Sequence, residues 1–375
     1  MKASERRKKR VVIALSGGVD SSAAAAILKA EGHEVIGISM QLYDHSKLES
    51  EGTRFDSCCS LREVDVARRA AQILDIPYYV LNFEKVFQEK VVDYFIKEYL
   101  EARTPNPCVK CNEDVKFKHL IVKARELNAD YLATGHYAKV VQKGNDFQLH
   151  KAKDRKKDQS YFLFSVAKKE LPFLLFPLGD LQKTEVREIA RQAKLPNADK
   201  KESMEICFIP NNDYASFISK EVGPRNSGDI ISKEGHKLGQ HDGFFQYTVG
   251  QRRGLGVSSP DPLYVLNVDK TSKSVTVGKP EDLWATGLMA KEINWITLPS
   301  SDTISVRIRY RHQEIESVLE TGWQASLEVG NDRTRSTTLN INFSDRQRAV
   351  APGQAAVFYE GDILLGGGWI EKSCH

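Results

Sequence analysis

No stretch of this chain approaches the roughly 20 consecutive apolar residues a membrane-spanning helix needs, which excludes a helical membrane protein. The basic start (Lys2, Arg6, Arg7, Lys8, Lys9, Arg10) is followed by an apolar run too short and too glycine-broken for a secretory signal, so a cytoplasmic location is expected. Cysteine is scarce, six in 375 residues, and without secretory context these read as reduced thiols kept for chemistry rather than as staples. Neither sign of charge dominates: 54 Lys and Arg against 50 Asp and Glu give a net +4, which permits a nucleic-acid partner without demanding one. Two common nucleotide signatures are missing, Gly-Lys-Ser/Thr and G-x-G-x-x-G. There is no internal repeat and no low-complexity tract. What remains is an ordinary globular composition, 41% hydrophobic and 28% charged, with length for two or three domains.

The most informative stretch is Val11–Ser22, VVIALSGGVDSS. A β-branched run meets a Ser-Gly-Gly turn and becomes an alanine-rich helix from Asp20 to about Lys29. Strand, glycine turn and helix aim backbone N–H groups and a helix N-terminus at an anion. Gly17 and Gly18 let the backbone approach a phosphate, and Ser16, Ser21 and Ser22 add hydroxyls. Asp20 repels phosphate, so its expected partner is a bridging Mg²⁺. SGGVDSS resembles the pyrophosphate loop of the ATP-pyrophosphatase (PP-loop) superfamily, whose members split ATP between its α and β phosphates.

Strands at Val35–Met40, Tyr78–Leu81 and Tyr131–Thr134 alternate with helices at Leu61–Leu74, 85–100 and Lys116–Leu127. In the last, Phe117, Leu120, Ile121, Ala124 and Leu127 share one face. Such alternation predicts an α/β doubly wound parallel sheet, with ligands at the carboxyl ends of its strands. Near residue 210 the pattern breaks, and a glycine-dense stretch predicts a small, irregular middle domain. From about Leu288 the period is two: Val306, Ile308 and Tyr310 alternate with Ser305, Arg307 and Arg309, and Leu339, Ile341 and Phe343 with Asn340 and Asn342. That predicts a C-terminal β-barrel. The expected division is 1–210, 211–285 and 286–375.

Thr104-Pro105-Asn106-Pro107-Cys108-Val109-Lys110-Cys111-Asn112 is a stiff loop feeding an amphipathic helix. A thiol near a helix N-terminus is activated, which favours Cys111 as a nucleophile. Cys207, about a hundred residues on in Ile206-Cys207-Phe208-Ile209, can cooperate with it only through space. Inert buried thiols and a zinc held by Cys58, Cys59, Cys108 and Cys111 are the competing readings, the second weakened by adjacent cysteines that chelate one tetrahedral ion poorly. The run Lys151–Lys157 suits phosphate binding if an ATP site and a reactive thiol lie nearby.

SGGVDSS, TPNPCVKCN, ATGHYAKV, KDQSYFLF, ICFI, YTVGQRRGLG, RIRYRH, APGQAAVFY and LLGGGWIE occur in this order, and the chain from about Val11 to Glu371 resembles the bacterial tRNA-specific 2-thiouridylase (MnmA) family. The resemblance implies adenylation of the wobble uridine at its 2-oxygen by ATP, then displacement of AMP by persulfide sulfur. It implies ATP and Mg²⁺ as cofactors, with ATP bound by Ala14, Leu15, Ser16, Gly17, Gly18, Val19, Asp20, Ser21, Met40 and Gly135. It makes Cys111 the nucleophile and Cys207 the persulfide carrier. Asn106, Pro107 and Cys108 are placed around the target base, and His136, Lys157, Asp158, Gln159, Arg309, Tyr310 and Gln354 on the tRNA. The implied partners are tRNA and a persulfide-donating relay protein or cysteine desulfurase, and a monomer is expected. Many relatives carry aspartate where Cys108 stands, and glycine where Glu205 and Pro210 flank the ICFI motif. An iron–sulfur cluster on Cys108, Cys111 and Cys207 is the alternative sulfur-transfer route. A PP-loop synthetase acting on a small molecule is the alternative enzyme.

Overall fold

The computed structural model describes residues 8–43, 61–200, 206–209, 213–223, 227–329 and 334–375. Cys58, Cys59, Glu205 and Pro210 lie outside them. The chain forms two compact units, one of residues 1–91 and 108–208, the other of 92–107 and 209–375.

In the first unit, β1 (Arg10–Ala14), β2 (Glu34–Gln41), β3 (Tyr78–Asn82), β4 (Tyr131–Ala133) and β7 (Leu174–Leu175) make a parallel sheet in the order β3-β2-β1-β4-β7. β1 is central and Val11, Val12 and Ile13 are wholly buried, which is why its run is apolar without alternation. The helix α1 (Val19–Ala30) follows the glycine turn, and its small residues Ala23–Ala26 share a core with Val186 and Ala190 of a later helix, α3 (Lys183–Gln192). Between them in sequence, α2 (Leu61–Ile73) buries Ala67, Ala70 and Ala71 in the same core. The expected doubly wound parallel sheet is therefore present. An antiparallel hairpin, β5 (Ala138–Lys143) with β6 (Asp146–Lys151), lies outside that sheet and is a feature that the strand–helix alternation does not contain.

A helical run spans Pro107–Lys110, Cys111–Leu120 and Ile121–Glu126, its middle part wound as a wider π-helix. Phe117, Leu120, Ile121 and Ala124 are buried as their spacing predicts. The run begins earlier than the apolar periodicity does. Its first turn holds Cys108, while Cys111 stands a turn further in.

In the second unit, β8 (Gly228–Ser232), β9 (Lys237–His241), β10 (Tyr264–Asp269) and β11 (Ser274–Gly278) form a sheet in the order β10-β11-β8-β9. The middle segment is thus more regular than expected. A closed six-stranded barrel follows: β12 (Trp284–Trp295), β16 (Thr334–Arg348), β14 (Ile315–Leu319), β13 (Thr303–Arg307), β17 (Ala355–Glu360) and β18 (Ile363–Cys374) pair in that order, and β18 pairs back onto β12. The short β15 (Leu327–Val329) pairs with β16. Val306, Leu339, Ile341 and Phe343 fill the barrel core as the period-two reading expects. One detail differs: β13 ends at Arg307, and Arg309 and Tyr310 belong to the turn beyond it, where the Arg309 guanidinium donates to the carbonyls of Arg348 and Ala349 at 2.8 and 2.6 Å.

Candidate active site

The glycine turn leaves the carboxyl end of β1 already shaped. Leu15 N–H donates to the Ile38 carbonyl and Ser39 Oγ to the Leu15 carbonyl, at 2.8 and 2.6 Å, fixing the exit of the strand. Ser21 Oγ accepts from Ser16 N–H at 3.1 Å and donates to the Gly18 carbonyl at 3.1 Å, closing the turn on the helix it feeds. Gly17 sits at φ +74°, where its missing Cβ would lie 2.4 Å from the Glu63 carbonyl oxygen. Only glycine fits that geometry. Gly18 caps α1, and glycine has no side chain to offer the first-turn amides.

Behind the turn, Asn197 Nδ2 donates to the Gly17 carbonyl and to Ser22 Oγ, both at 2.9 Å. Glu63, buried in the first turn of α2, is paired with Lys200. In front, Asp20 is held from two sides. Lys183 Nζ reaches its two carboxylate oxygens at 2.6 and 2.8 Å, and Tyr137 Oη donates to one of them at 2.8 Å. The carboxylate expected to meet a metal ion thus holds an ammonium group in this structure. Mg²⁺ is commonly bound through one or two carboxylates, water and nucleotide phosphates, so Asp20 is the one loop carboxylate suited to an ion arriving with ATP.

The β4 edge approaches the same helix start. A Cβ on Gly135 would lie 2.7 Å from Ser21 N and 2.8 Å from the Asp20 carbonyl carbon, so glycine there lets two backbones touch. His136 Nδ1 is 2.7 Å from Thr134 Oγ1, and its ring lies edge-on to Phe176 and tilted against Phe117. Burial holds that ring well below the ordinary histidine range, and the Lys116 charge pushes the same way. Phe117 and Lys116 belong to the same helical run as Cys111, so the thiol-bearing helix is anchored to this edge. Asn112 strengthens the anchor, donating to the Phe162 carbonyl at 3.0 Å and accepting from Lys116 Nζ at 2.9 Å.

Cys111 is buried, Cys108 exposed and Cys207 partly exposed; all are thiols. Phe208, next to Cys207, is buried with its ring packed edge-on against Phe87 at 5.6 Å. Among the described residues, no three His, Cys, Asp or Glu side chains converge to hold a metal ion, so Cys108, Cys111 and Cys207 do not make a cluster site in this structure. Asp158 also departs from expectation. It is buried and accepts from Ala152 N–H and Ser160 Oγ at 3.0 and 2.8 Å, which closes the basic loop Lys151–Lys157 from within instead of offering a surface contact. Gln159 pairs both ways with the Tyr137 backbone, and Lys157 stays partly exposed. Met40 lies near the end of β2, partly exposed.

In the second unit, Gln354 Nε2 donates to the carbonyls of Thr104 and Pro105 at 3.0 and 3.4 Å, and Thr104 N–H donates to the Pro352 carbonyl at 2.8 Å. The Ala351–Gln354 motif therefore braces the loop that leads to Asn106 and Pro107. Arg103 secures its start through Glu98 and Glu371, at 2.8 and 2.6 Å.

Residues 9–211 match the family described as tRNA methyl transferase HUP domain, 215–279 the tRNA methyl transferase PRC-barrel domain, and 285–370 the aminomethyltransferase beta-barrel domain. The chain is 52% identical to the tRNA-specific 2-thiouridylase MnmA of Geotalea uraniireducens, over 98% of this chain and 96% of that protein. It is 48% identical to the enzyme of that name from Geobacter metallireducens, over 98% of each. The chain belongs to the tRNA-specific 2-thiouridylase MnmA family.

Several residues of this MnmA-family site escape a reading of local sequence. Tyr137, Lys183 and Asn197 meet the glycine turn from 117 to 180 residues away. Lys183 does carry a signal: it opens a helix, where the macrodipole disfavours a cation.

Proposed function

We propose that the chain thiolates position 2 of the wobble uridine of tRNA at the expense of ATP. The observation that carries this reading is the preshaped, glycine-clasped anion turn in the same compact unit as the thiols Cys111 and Cys207. The names of the relatives supply the substrate class.

In this reading the turn Ala14–Ser21 takes the phosphates of ATP, and Met40 and Gly135 border the adenosine. The uridine 2-oxygen attacks the α-phosphorus, the bond to the β-phosphate oxygen breaks, and pyrophosphate leaves. The terminal sulfur of a persulfide on Cys207 then attacks C2, and AMP departs with the former 2-oxygen. The Cys111 thiolate attacks Sγ of Cys207, which leaves sulfur on C2 and a Cys111–Cys207 disulfide. The electrons balance: the transferred sulfur is reduced as two thiols are oxidised, and an external thiol reductant resets the pair. Asp20 would hold Mg²⁺ arriving with ATP, and the ion would supply neutralisation of phosphate charge. The persulfide route uses two cysteines and needs no grouped metal ligands, which favours it over a cluster.

A flipped base would meet Asn106, Pro107 and Cys108. His136, Lys157, Gln159, Arg309, Tyr310 and Gln354 are the proposed tRNA-facing positions, with Asp158 shaping the loop beneath. Residues 1–210 form the catalytic part in this scheme, with 211–285 and 286–375 as accessory domains. A persulfide donor, a relay protein or a desulfurase, is the required partner, and a cytoplasmic monomer is the expected form.

AMP release measured with and without bulk tRNA tests the reading. Release that depends on tRNA is expected. Release at full rate without tRNA points to a small-molecule synthetase and contradicts the proposal.

A further inference from the structure

The glycine turn contains no lysine, whereas Walker-type loops carry one that neutralises phosphate. The fold brings a lysine to the same place from 163 residues away. Lys183 opens α3, where the helix dipole disfavours a cation, so its charge does not serve the helix. Its position is nevertheless fixed at both ends. The backbone N–H donates to the buried Asp154 carboxylate at 3.0 Å, and Nζ is gripped by both carboxylate oxygens of Asp20. The ammonium also lies over the Tyr137 ring, 5.7 Å from its centre, and Tyr137 Oη shares the Asp20 carboxylate. The Lys183 side chain is 11% exposed, so it is largely withdrawn from bulk water at the first turn of the helix that the glycine turn feeds. A cation there interacts strongly with a polyanion and has little solvation left to lose.

We infer that Lys183 is a phosphate-binding residue of the nucleotide site, and that Asp20 and Tyr137 are positioning residues that hold its ammonium ready. This rests on the ATP reading of the turn. When a triphosphate occupies the turn, the ammonium bonds a phosphate oxygen and offsets the charge that builds up as the bond between the α and β phosphates breaks. A plain structural clamp between α1 and α3 would be indifferent to phosphate.

Binding of ATP and of adenosine, measured by titration calorimetry on the full chain, separates the two. Lys183→Gln, which keeps an amide donor for Asp20 but no charge, is expected to weaken ATP about tenfold or more and leave adenosine unchanged. Lys183→Arg is expected to recover most of the loss. Equal weakening of both ligands, or no change in ATP affinity, overturns the inference. If Lys183→Gln does not fold, amine acylation of the wild-type protein with peptide mapping reads the same contact. ATP should shield Lys183 and adenosine should not; equal shielding overturns it. A wild-type protein that binds neither ligand contradicts the nucleotide reading itself, whereas normal ATP binding by Lys183→Gln contradicts only the role of Lys183.

Discussion

His136 shows how one residue's surroundings set its chemistry. Burial, with the Lys116 charge adding to it, keeps the folded ring neutral well below its ordinary value of 6.5. The unfolded chain binds that proton near the ordinary value, so below it the unfolded state holds a proton the native state lacks. The stability from a neutral His136 is thus present above the ordinary value and lost as pH falls below it. His136→Asn should flatten the fall in melting temperature on acidification, read by circular dichroism at several pH values. A slope identical to wild type would mean the ring titrates normally in the fold. ATGHYAKV marks His136 and its partner Thr134 in sequence, but Phe117 and Phe176 come from two other segments, and only packing reveals that the ring is desolvated.

Among elements, those built from local pattern were the legible ones. The apolar run of β1, the alanines of α1 and the alternation in the barrel all follow from burial on one or both faces. The β5–β6 hairpin was hidden because Val140 and Val141 break strict alternation, while Gly144, at φ +61°, makes the turn. The π-wound segment from Cys111 to Leu120 was hidden because an extra residue per turn leaves no compositional mark. The glycine turn was legible in type, yet its demand on Gly17 comes from Glu63 on another helix. Gly17→Ala meets both a left-handed backbone and a carbonyl at 2.4 Å, and should cost about 1–3 kcal/mol and weaken ATP binding. Urea denaturation followed through helical ellipticity, with ATP titration, measures both; unchanged values in each would contradict the close packing of this turn.

For the whole molecule, three family segments in order and two compact units describe the same chain at different levels. Residues 92–107 cluster with the second unit although they lie in sequence within the first, because Arg103, Thr104 and Pro105 bond to 352–371. No sequence period encodes such an exchange. The residues proposed for tRNA are likewise shared between the units, Lys157 and His136 in one and Arg309, Tyr310 and Gln354 in the other. Among the described residues, no helix is long and apolar enough to cross a membrane. The central claim is thiolation of tRNA by ATP and a Cys207 persulfide. Mass spectrometry of tRNA nucleosides after incubation with ATP and a persulfide donor tests it most directly. A 2-thiouridine nucleoside should appear only with ATP present and be absent with folded Cys207→Ser. A thiolated nucleoside formed without ATP, or formed equally by Cys207→Ser in a single turnover, would contradict the account.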